Sequence, residues 1–488
     1  MAKKNKELSN IELQSLLSNQ IQNALGYLGG ELSDSRTKSL EYYLGDKLGT
    51  EIDGRSQVVS TDVADTIESL LPNLLRVFTA SDKVVSCEPM TAEDIPMADQ
   101  ATAYLNHVFY KENDGFQLLY NFFKDALIEK NGFLKIYWDD SEKVDYETYE
   151  NLSIVEKEAL QDTKDEIETV EEEVFEDESA KEEFEKVLEQ YKLQGIDVSQ
   201  VQVPNFNLYN CKIKRITKTG RVKVESIPPE EFLIDRGAKT IEDADFISHK
   251  VLMTRSDLVA MGYSQDEVDE LPKSDLDIYN NEETVRLTDV DNYKISSATD
   301  TSTEKVLVYE SYVKYDYDQD GIAELRKIVS AGTDGANILS NMPCDSVPFV
   351  TITPIPMPHR FYGRSISELV EDVQLMKSTV MRQLLDNMYL TNNNRVAVMD
   401  GMVNMDDLLT TRPGGIVRTK QPPNQVMQPL QAQPISQQAF PLLNYLDSVR
   451  EARTGVSKEA QGLSPDTLNA KTATGVNALM QQTQMRSE

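Results

Sequence analysis

The 488-residue sequence holds few of the residue types that build covalent or metal-bound sites. It contains three cysteines, three histidines and one tryptophan. Cys87, Cys211 and Cys344 are far apart and odd in number, so they match neither a disulfide framework nor a zinc-ligand spacing. No run of about 18 apolar residues occurs, and the N-terminus lacks the apolar core of a secretory signal. The sequence therefore predicts a protein without membrane spans, made in a reducing cytosol.

Sequence motifs for catalysis are also missing. The chain has no Gly-x4-Gly-Lys-Ser/Thr loop, no His-Glu-x2-His pair and no Gly-x-Ser-x-Gly turn, which excludes nucleotide, zinc and hydrolase chemistry by these routes. His107, His249 and His359 lie in unrelated contexts. We therefore expect a protein that is not an enzyme, with no catalytic residue, resident metal or cofactor.

Positive charge is scarce. The chain has 49 Lys and Arg against 82 Asp and Glu, a formal net charge of -33 at pH 7. A protein that grips DNA tightly needs a basic stripe, and the sequence has none, which argues against a high-affinity DNA binder. A channel through which DNA slides is still compatible, because net repulsion with scattered cations keeps the duplex from sticking. Solubility alone explains the same charge.

Much of the negative charge is local. Residues 141–190 hold 20 acidic and five basic residues, a net charge of -15. Apolar positions are sparse in this Glu-rich stretch, a pattern typical of exposed helices with one thin apolar face. We predict an acidic helical insertion over about residues 141–200. An acidic arm that docks a partner protein is the alternative.

Residues 361–400 show the strongest helical pattern. Ser365 stands at an N-cap position with Glu368 three residues later, which is a capping box. Apolar residues then recur at helical spacing as far as Met388. The Asn-rich residues 391–394 end the helix. The pattern predicts a rod of about 25 residues and roughly 38 Å, followed by a short strand.

The remaining pattern alternates between helices and strands, which predicts an α+β fold. Helices begin after cap residues and end at Gly or Asn, while strands show period-two alternation. We predict helices within residues 1–60, 62–75, 94–109, 116–130, 242–273 and 440–453 and from 473, strands at 133–139, 395–402 and 415–420, hairpins at 211–235 and 306–332, and an extended stretch at 421–437. Trp138, in the first strand, is expected in the core.

The two predicted hairpins carry opposite charges. The first holds six basic residues between Cys211 and Lys223, which could face DNA, the acidic insertion or water; the last two are preferred. The second has an acidic turn from Asp316 to Gly321 that imitates half of an EF-hand loop. Position 12 of such a loop would be Lys327, where calcium needs a Glu. A plain hairpin turn is preferred; a calcium site or a metal-dependent nuclease is the alternative.

Three segments resemble one protein family. The long helix carries Gly363, Arg364, Ser365, Glu368, Asp372, Gln374, Lys377, Arg382, Leu385, Asp386, Asn387, Tyr389 and Asn392. The N-terminal third carries a Tyr-Tyr-x-Gly segment at 42–45, a Gly-Arg-Ser segment over 54–74 and a Glu-Pro segment over 88–98, and the acidic turn at 316–321 is the third match. In this combination the chain resembles portal proteins of short-tailed phages related to phage P22.

The resemblance implies a mainly helical portal fold with named subdomains. A wing of helices and hairpins is expected first, then two long stem helices around a small β clip, a tunnel loop and a crown or barrel helix. The implied bounds are 1–360 for the wing, 361–391 for stem helix 1, 392–433 for the clip, 434–453 for stem helix 2, 454–472 for the tunnel loop and 473–488 for the start of the crown.

The resemblance also implies positions for function. The implied stem residues are Ser365, Glu368, Arg382, Leu384, Leu385 and Asp386. The implied clip contacts to terminase and tail adaptors are Arg395, Arg412, Arg418 and Lys420. The implied tunnel-loop residues at the DNA channel are Lys458, Lys471 and Thr472, with the two lysines as candidate phosphate contacts.

The partners implied by the resemblance belong to a virion. They are identical subunits in a ring, expected as a dodecamer, the major capsid protein, the terminase large subunit, tail adaptor or head completion proteins, a scaffold protein and double-stranded DNA in the bore. The chain is then expected at a capsid vertex after assembly in the bacterial cytoplasm. The alternative is an acidic, non-catalytic scaffold or adaptor protein of a virion that does not contact DNA.

Overall fold

The structure is a computed structural model that describes residues 8–79, 83–140, 142–161, 166–193, 206–218, 220–273, 281–286, 300–393, 395–410, 412–430 and 436–456. The chain divides into two compact units. The larger unit comprises Met1–Lys135 and Val224–Glu488, and the smaller unit is Ile136–Lys223. Among the described helices, none combines the length and the apolar character that crossing a bilayer requires.

Helices make up 45% of the structure. The first helix begins at a capping box in which Ser9 accepts the N–H of Glu12 and Glu12 accepts the N–H of Ser9. The described helices are α1 (Asn10–Tyr27), α2 (Ser33–Leu44), α3 (Asp62–Thr79), α4 (Ile95–His107), α5 (Gly115–Glu129), α6 (Ile154–Gln161), α7 (Glu178–Leu193), α8 (Arg255–Ala260), α9 (Gln265–Asp269), α10 (Asn281–Arg286), α11 (Ser367–Asn392), α12 (Met405–Leu409), α13 (Pro423–Val426) and α14 (Ser436–Thr454).

Strands make up 25% of the structure and form small antiparallel sheets, so the predicted α+β class is confirmed. The described strands are β1 (Gly132–Asp139), β2 (Glu142–Leu152), β3 (Glu166–Glu176), β4 (Asn207–Lys218), β5 (Arg221–Ile227), β6 (Phe232–Ile234), β7 (Phe246–Thr254), β8 (Lys305–Tyr315), β9 (Glu324–Ala331), β10 (Asn337–Pro343), β11 (Phe349–Ile352), β12 (Arg395–Val398) and β13 (Met427–Leu430).

The largest sheet lies in the larger unit and has the order β10-β9-β8-β7-β6. Strands β8 and β9 form the expected hairpin, with Tyr315 opposite Glu324 at its end. In the turn, both carboxylate oxygens of Asp316 accept backbone N–H groups, from Asp320 at 3.0 Å and from Gly321 at 2.8 Å. These bonds close the acidic turn, so its interpretation as a hairpin turn is confirmed.

A first apolar core lies between α1 and this sheet. Leu13, Leu17 and Ile21 are spaced four residues apart on α1, and each is at most 2% exposed. They belong to one cluster with the rings of Phe133 and Phe232, which stack with centroids 4.1 Å apart. Each fully buried side chain of this kind stabilises the fold by about 1.5–3 kcal/mol relative to exposure.

A second apolar core joins α2, α3, α5 and α11. Its α3 members, Val63, Ile67 and Leu71, lie on one helical face and are buried. Phe123 of α5 and Val370 of α11 belong to the same cluster. The first turns of the long helix α11 are therefore fixed in the protein interior.

The smaller unit corrects the prediction of an all-helical acidic insertion. Residues 142–152 and 166–176 form β2 and β3, and of the described residues in the expected stretch only α6 and α7 are helical. The three strands form a sheet in the order β2-β4-β3, with β4 antiparallel to both neighbours. Tertiary pairing therefore overrides the helical preference of the Glu-rich sequence.

Opposite charges meet across this sheet. Lys214 on β4 lies 3.0 Å from Glu168 on β3. Arg215 on β4 lies 2.9 Å from Glu147 on β2. Opposite charges on neighbouring strands favour their pairing in a sheet. The basic residues therefore contact the acidic segment, as one of the interpretations expected.

Three further local predictions are wrong. Strands β4 and β5 do not form a hairpin, because β5 joins a different sheet, of order β11-β1-β5. Residues 246–254, expected to be helical, form β7, whose apolar side chains fit the middle of the five-stranded sheet. Trp138 is 60% exposed and donates its indole N–H to Asp140 at 2.8 Å instead of packing in a core.

Candidate functional site

The candidate site is the long helix α11 together with the segments that pack along it. Ser365 Oγ accepts the N–H of Glu368 at 3.2 Å, which is half of the predicted capping box, and α11 begins at Ser367 rather than at Ser365. The Glu368 carboxylate instead lies 3.0 Å from Lys130 and accepts a hydrogen bond from Ser35 at 3.2 Å. Burial opposes ionisation, yet Lys130 lowers the pKa of Glu368. The carboxylate thus ties the start of α11 to α2 and α5.

An N-terminal segment runs antiparallel to α11. Three of its backbone N–H groups donate to side chains along the helix: Val63 to Gln374 at 2.8 Å, Ser60 to Ser378 at 3.0 Å and Ser56 to Asp386 at 2.8 Å. The acceptors lie four and then eight residues apart, so they share one helical face. Two of the segments that carry the family resemblance therefore meet in space.

Arg382 of α11 also binds this N-terminal segment. Its guanidinium donates to the Val58 carbonyl at 2.8 Å and to Thr50 Oγ1 at 2.9 Å, and it forms a short ion pair with Glu51. The Arg382 and Glu51 side chains are both largely buried. A guanidinium with three different acceptors fixes both position and orientation.

A buried ion network joins α3, α11 and α14. Asp62 at the start of α3 is 1% exposed and accepts from Lys377 of α11 at 2.7 Å and from Arg450 of α14 at 2.9 Å. Lys377 also lies 2.8 Å from Asp447 of α14. Burial opposes the positive charge of Lys377, but its hydrogen bonds to Asp447 and Asp62 raise its pKa. This Asp62 network determines how the two long helices pack on each other.

Helices α11 and α14 are antiparallel. Arg453 near the end of α14 lies 2.5 Å from Asp372 near the start of α11 and donates to the Leu369 carbonyl at 2.9 Å. The salt bridge from Lys377 to Asp447 lies later in α11 and earlier in α14 than the bridge from Asp372 to Arg453. The last turns of α11 therefore lie at the same end as the first turns of α14.

That shared end is apolar and exposed. On α11 the exposed side chains are Leu385, Met388, Tyr389 and Leu390, and on α14 they are Phe440, Leu442 and Tyr445. We call this set the apolar stem end. Tyr389 and Tyr445 are more than 60% exposed. Of the predicted stem residues, Leu384 is half-buried and Leu385 is 40% exposed, so the chain itself leaves a large part of the Leu385 side chain uncovered.

Beyond α11, a short two-stranded sheet closes a small subdomain. Strand β12 pairs antiparallel with β13, from Arg395 opposite Leu430 to Val398 opposite Met427. The predicted strand at 415–420 is wrong, because only an isolated bridge between Val403 and Thr419 forms there. The extended stretch at 421–437 instead contains α13 and β13.

The four basic residues predicted for this subdomain are exposed. Arg418 lies 2.6 Å from Asp407 and also donates its backbone N–H to that carboxylate, so it is committed to a local pair. Arg395, Arg412 and Lys420 point to solvent on the same small subdomain. The predicted channel residues Lys458, Lys471 and Thr472, and the expected crown helix from 473, lie outside the described residues.

The sequence interpretation missed the Asp62 network. Lys377 follows Val373 by four residues and Arg450 follows Leu446 by four residues, so both charges lie on the apolar face of their helix. A charge in that position is a signal for a buried ion pair. Its partner could not be named, because Asp62 is 388 residues from Arg450 in the sequence.

A comparison with known protein families adds an independent finding about the chain. The family model described as "Phage SU10 portal protein" matches residues 13–488. The matched range includes α11, α14, the subdomain between them and the N-terminal segment that binds along α11. The chain therefore belongs to the phage SU10 portal protein family.

Proposed function

We propose that α11 and α14 form the wall of a portal ring and that the apolar stem end contacts the neighbouring subunit. The observation that carries the proposal is the exposure of Leu385, Met388, Tyr389 and Phe440 at one end of a rigidly clamped helix pair. Exposed apolar surface on this scale marks an interaction site. Ring closure through identical contacts supplies an occupant, since each subunit meets a copy of itself.

Family membership establishes the general role. The chain is a phage portal protein, a structural and non-enzymatic virion component at a capsid vertex with a role in DNA packaging. Portal proteins form ring oligomers and associate with the capsid. The family match therefore favours the portal over the alternative of an acidic adaptor that does not contact DNA.

The subdomain bounds are part of the proposal. They are a wing over residues 1–360, stem helix 1 over 361–391, a clip over 392–433, stem helix 2 over 434–453, a tunnel loop over 454–472 and the start of a crown over 473–488. The helix pair α11 and α14 and the intervening β12–β13 sheet support the middle of this scheme. A dodecamer with the architecture of the P22-like portals of short-tailed phages is the form that we propose.

The partners at the clip are proposed from charge. Arg395, Arg412 and Lys420 are exposed cations on a chain of net charge -33, and such cations attract acidic surfaces of a partner. We assign this surface to the terminase large subunit during packaging and to tail adaptors afterwards. The capsid protein and a scaffold protein are the proposed partners of the wing, and double-stranded DNA passes through the bore, past Lys458, Lys471 and Thr472.

Negative-stain electron microscopy tests the ring. We expect end-on class averages of the purified chain to show closed rings of about a dozen subunits with an open bore. The variant Leu385→Asp should prevent ring formation, because it places a charge in the apolar stem end. Leu409→Asp on α12 is the matched control, since Leu409 is also an exposed leucine, and it should leave the rings intact.

Two outcomes count against the proposal. Intact rings of Leu385→Asp would remove the apolar stem end from the subunit interface. The second outcome is a wild-type chain that forms only monomers or small oligomers at high concentration. Purified scaffold or capsid protein is then added: rings that form would show that assembly needs these proteins, and a continued absence of rings would favour an adaptor role.

A further inference from the structure

A cluster of charged side chains lies inside the larger unit. Glu129 at the end of α5, Glu230 after β5 and Glu282 on α10 are each at most 4% exposed. One carboxylate oxygen from each lies within 4.8 Å of the others. Three elements that are distant in sequence therefore bring three carboxylates to one point, which we call the acidic core site.

Two arginines and a fourth acid surround the acidic core site. Arg286 donates to Glu129 at 2.7 Å and to Glu230 at 3.0 Å, and lies 3.6 Å from Asp125. Arg36 is fully buried beneath the ring of Tyr362, but its main partners are backbone carbonyls, those of residues 129 and 229 at 3.2 and 3.1 Å. Its closest carboxylate, Glu282, is 3.7 Å away.

The charges at the site do not balance. When all four are ionised, Asp125, Glu129, Glu230 and Glu282 carry four negative charges, and the two arginines carry two positive charges. Glu283, Glu231 and Lys250 flank the cluster. Among the buried groups the imbalance is two negative charges, and an unpaired charge is strongly unfavourable in the protein interior. Neutralising these two negative charges requires two protons or one divalent cation.

Unused acceptor atoms point to the cation. Glu129 Oε2 is buried and has no hydrogen-bond partner, and Glu282 Oε2, also buried, has no hydrogen bond and faces only the Arg36 guanidinium at 3.7 Å. Buried polar atoms are partnered in more than about 90% of cases. Arg286 already occupies Glu129 Oε1, so the second oxygen of Glu129 is available to a ligand on its other side.

We propose that Glu129, Glu230 and Glu282 bind a hard divalent cation. All donors are oxygens, which excludes the nitrogen and sulfur sets that zinc prefers and suits Ca²⁺, Mg²⁺ or Mn²⁺. Ca²⁺ fits best, because it accepts a largely dehydrated shell of carboxylate and carbonyl oxygens, whereas Mg²⁺ keeps several waters. The cation would join α10 to α5 and to the turn after β5.

Metal uptake by the full-length chain tests this site. The protein is stripped with EDTA, then titrated with Ca²⁺, Mg²⁺ and Mn²⁺ in separate calorimetric experiments, and bound metal is measured by elemental analysis after gel filtration. We expect one equivalent of Ca²⁺ and a higher melting temperature in its presence. Glu282→Gln should weaken binding about tenfold or more. Glu230→Gln is the second variant, in case the first folds poorly.

The acidic turn at Asp316 provides the control. Asp316, Asp318 and Asp320 also bring three carboxylate oxygens together, at the exposed tip of a hairpin. Asp318→Asn should leave uptake at the acidic core site unchanged. Uptake that is lost in Asp318→Asn and kept in Glu282→Gln would move the site to the turn and overturn the proposal. A stripped wild-type chain that takes up no metal would show that protons balance the cluster.

Discussion

Replacing Asp62 with Asn removes the central acceptor of the Asp62 network while keeping the shape of the side chain. Arg450, which is 5% exposed, would then have a buried positive charge without its carboxylate, whereas Lys377 would keep Asp447. Breaking a buried ion pair on one side costs about 3–5 kcal/mol. Because one of the two cations keeps a partner, we expect the lower end, about 3 kcal/mol.

Urea unfolding measured by far-UV circular dichroism reports this loss. Fluorescence is unsuitable, because the only tryptophan, Trp138, lies in the smaller unit, whereas Asp62 lies in the larger one. Asp407→Asn is the matched control. Asp407 pairs with Arg418 at 2.6 Å, but the Arg418 side chain is 75% exposed, so water screens the pair and its loss should change stability little.

The comparison of the two variants can refute the reasoning. If Asp62→Asn and Asp407→Asn differed by less than about 1 kcal/mol in the free energy of unfolding, burial would not distinguish the two pairs. The Asp62 network would then not be what fixes α14 on α11. A double variant with Lys377→Met separates the contribution of Lys377 from that of Arg450.

Three other predictions follow from single residues. Burial opposes the ionisation of Glu310, but two neighbouring lysines lower its pKa from 4.5 to about 2. The ionised carboxylate therefore stabilises the fold above pH 4.5, and this contribution, about 3 kcal/mol, is lost as the pH falls towards 2. In acid titrations, the stability difference between wild type and Glu310→Gln should shrink over that range. Gly363→Ala should destabilise the folded chain by about 1–3 kcal/mol, because a Cβ there would overlap the carbonyl oxygen of Ile355. Gly26→Ala, which has open space around it, should be neutral or stabilising in the same thermal melts. Lys458→Glu should leave ring assembly intact and reduce DNA packaging or retention in a packaging assay, and unchanged packaging would remove Lys458 from the bore.

The sequence predicted the elements whose signals are local. Helix α11 has apolar residues at helical spacing for more than six turns and a cap at Ser365, so its existence and its approximate ends followed from the pattern. The hairpin at Asp316 followed from two alternating strands around an acidic turn. In both cases the residues that specify the element lie within it.

The sequence could not predict elements that depend on distant partners. Strands β2 and β3 are rich in Glu, which favours helices when considered alone, and they become strands because β4 supplies Lys214 and Arg215 opposite them. The acidic core site has the same character, since Arg36 is 93 residues from Glu129 and 193 residues from the carbonyl of Pro229. The exposure of Leu385 could not be predicted either, because helical spacing identifies the apolar face of a helix but not whether another part of the chain covers that face.

The segment that binds along α11 also affects the timing of synthesis. Ser60 must wait for Ser378, which is 318 residues later in the chain. At about 5–20 residues per second, a ribosome needs roughly 16–64 s to cover that distance. During this interval the N-terminal segment has none of its α11 acceptors, so the packing of this segment along α11 cannot form until most of the chain has been translated.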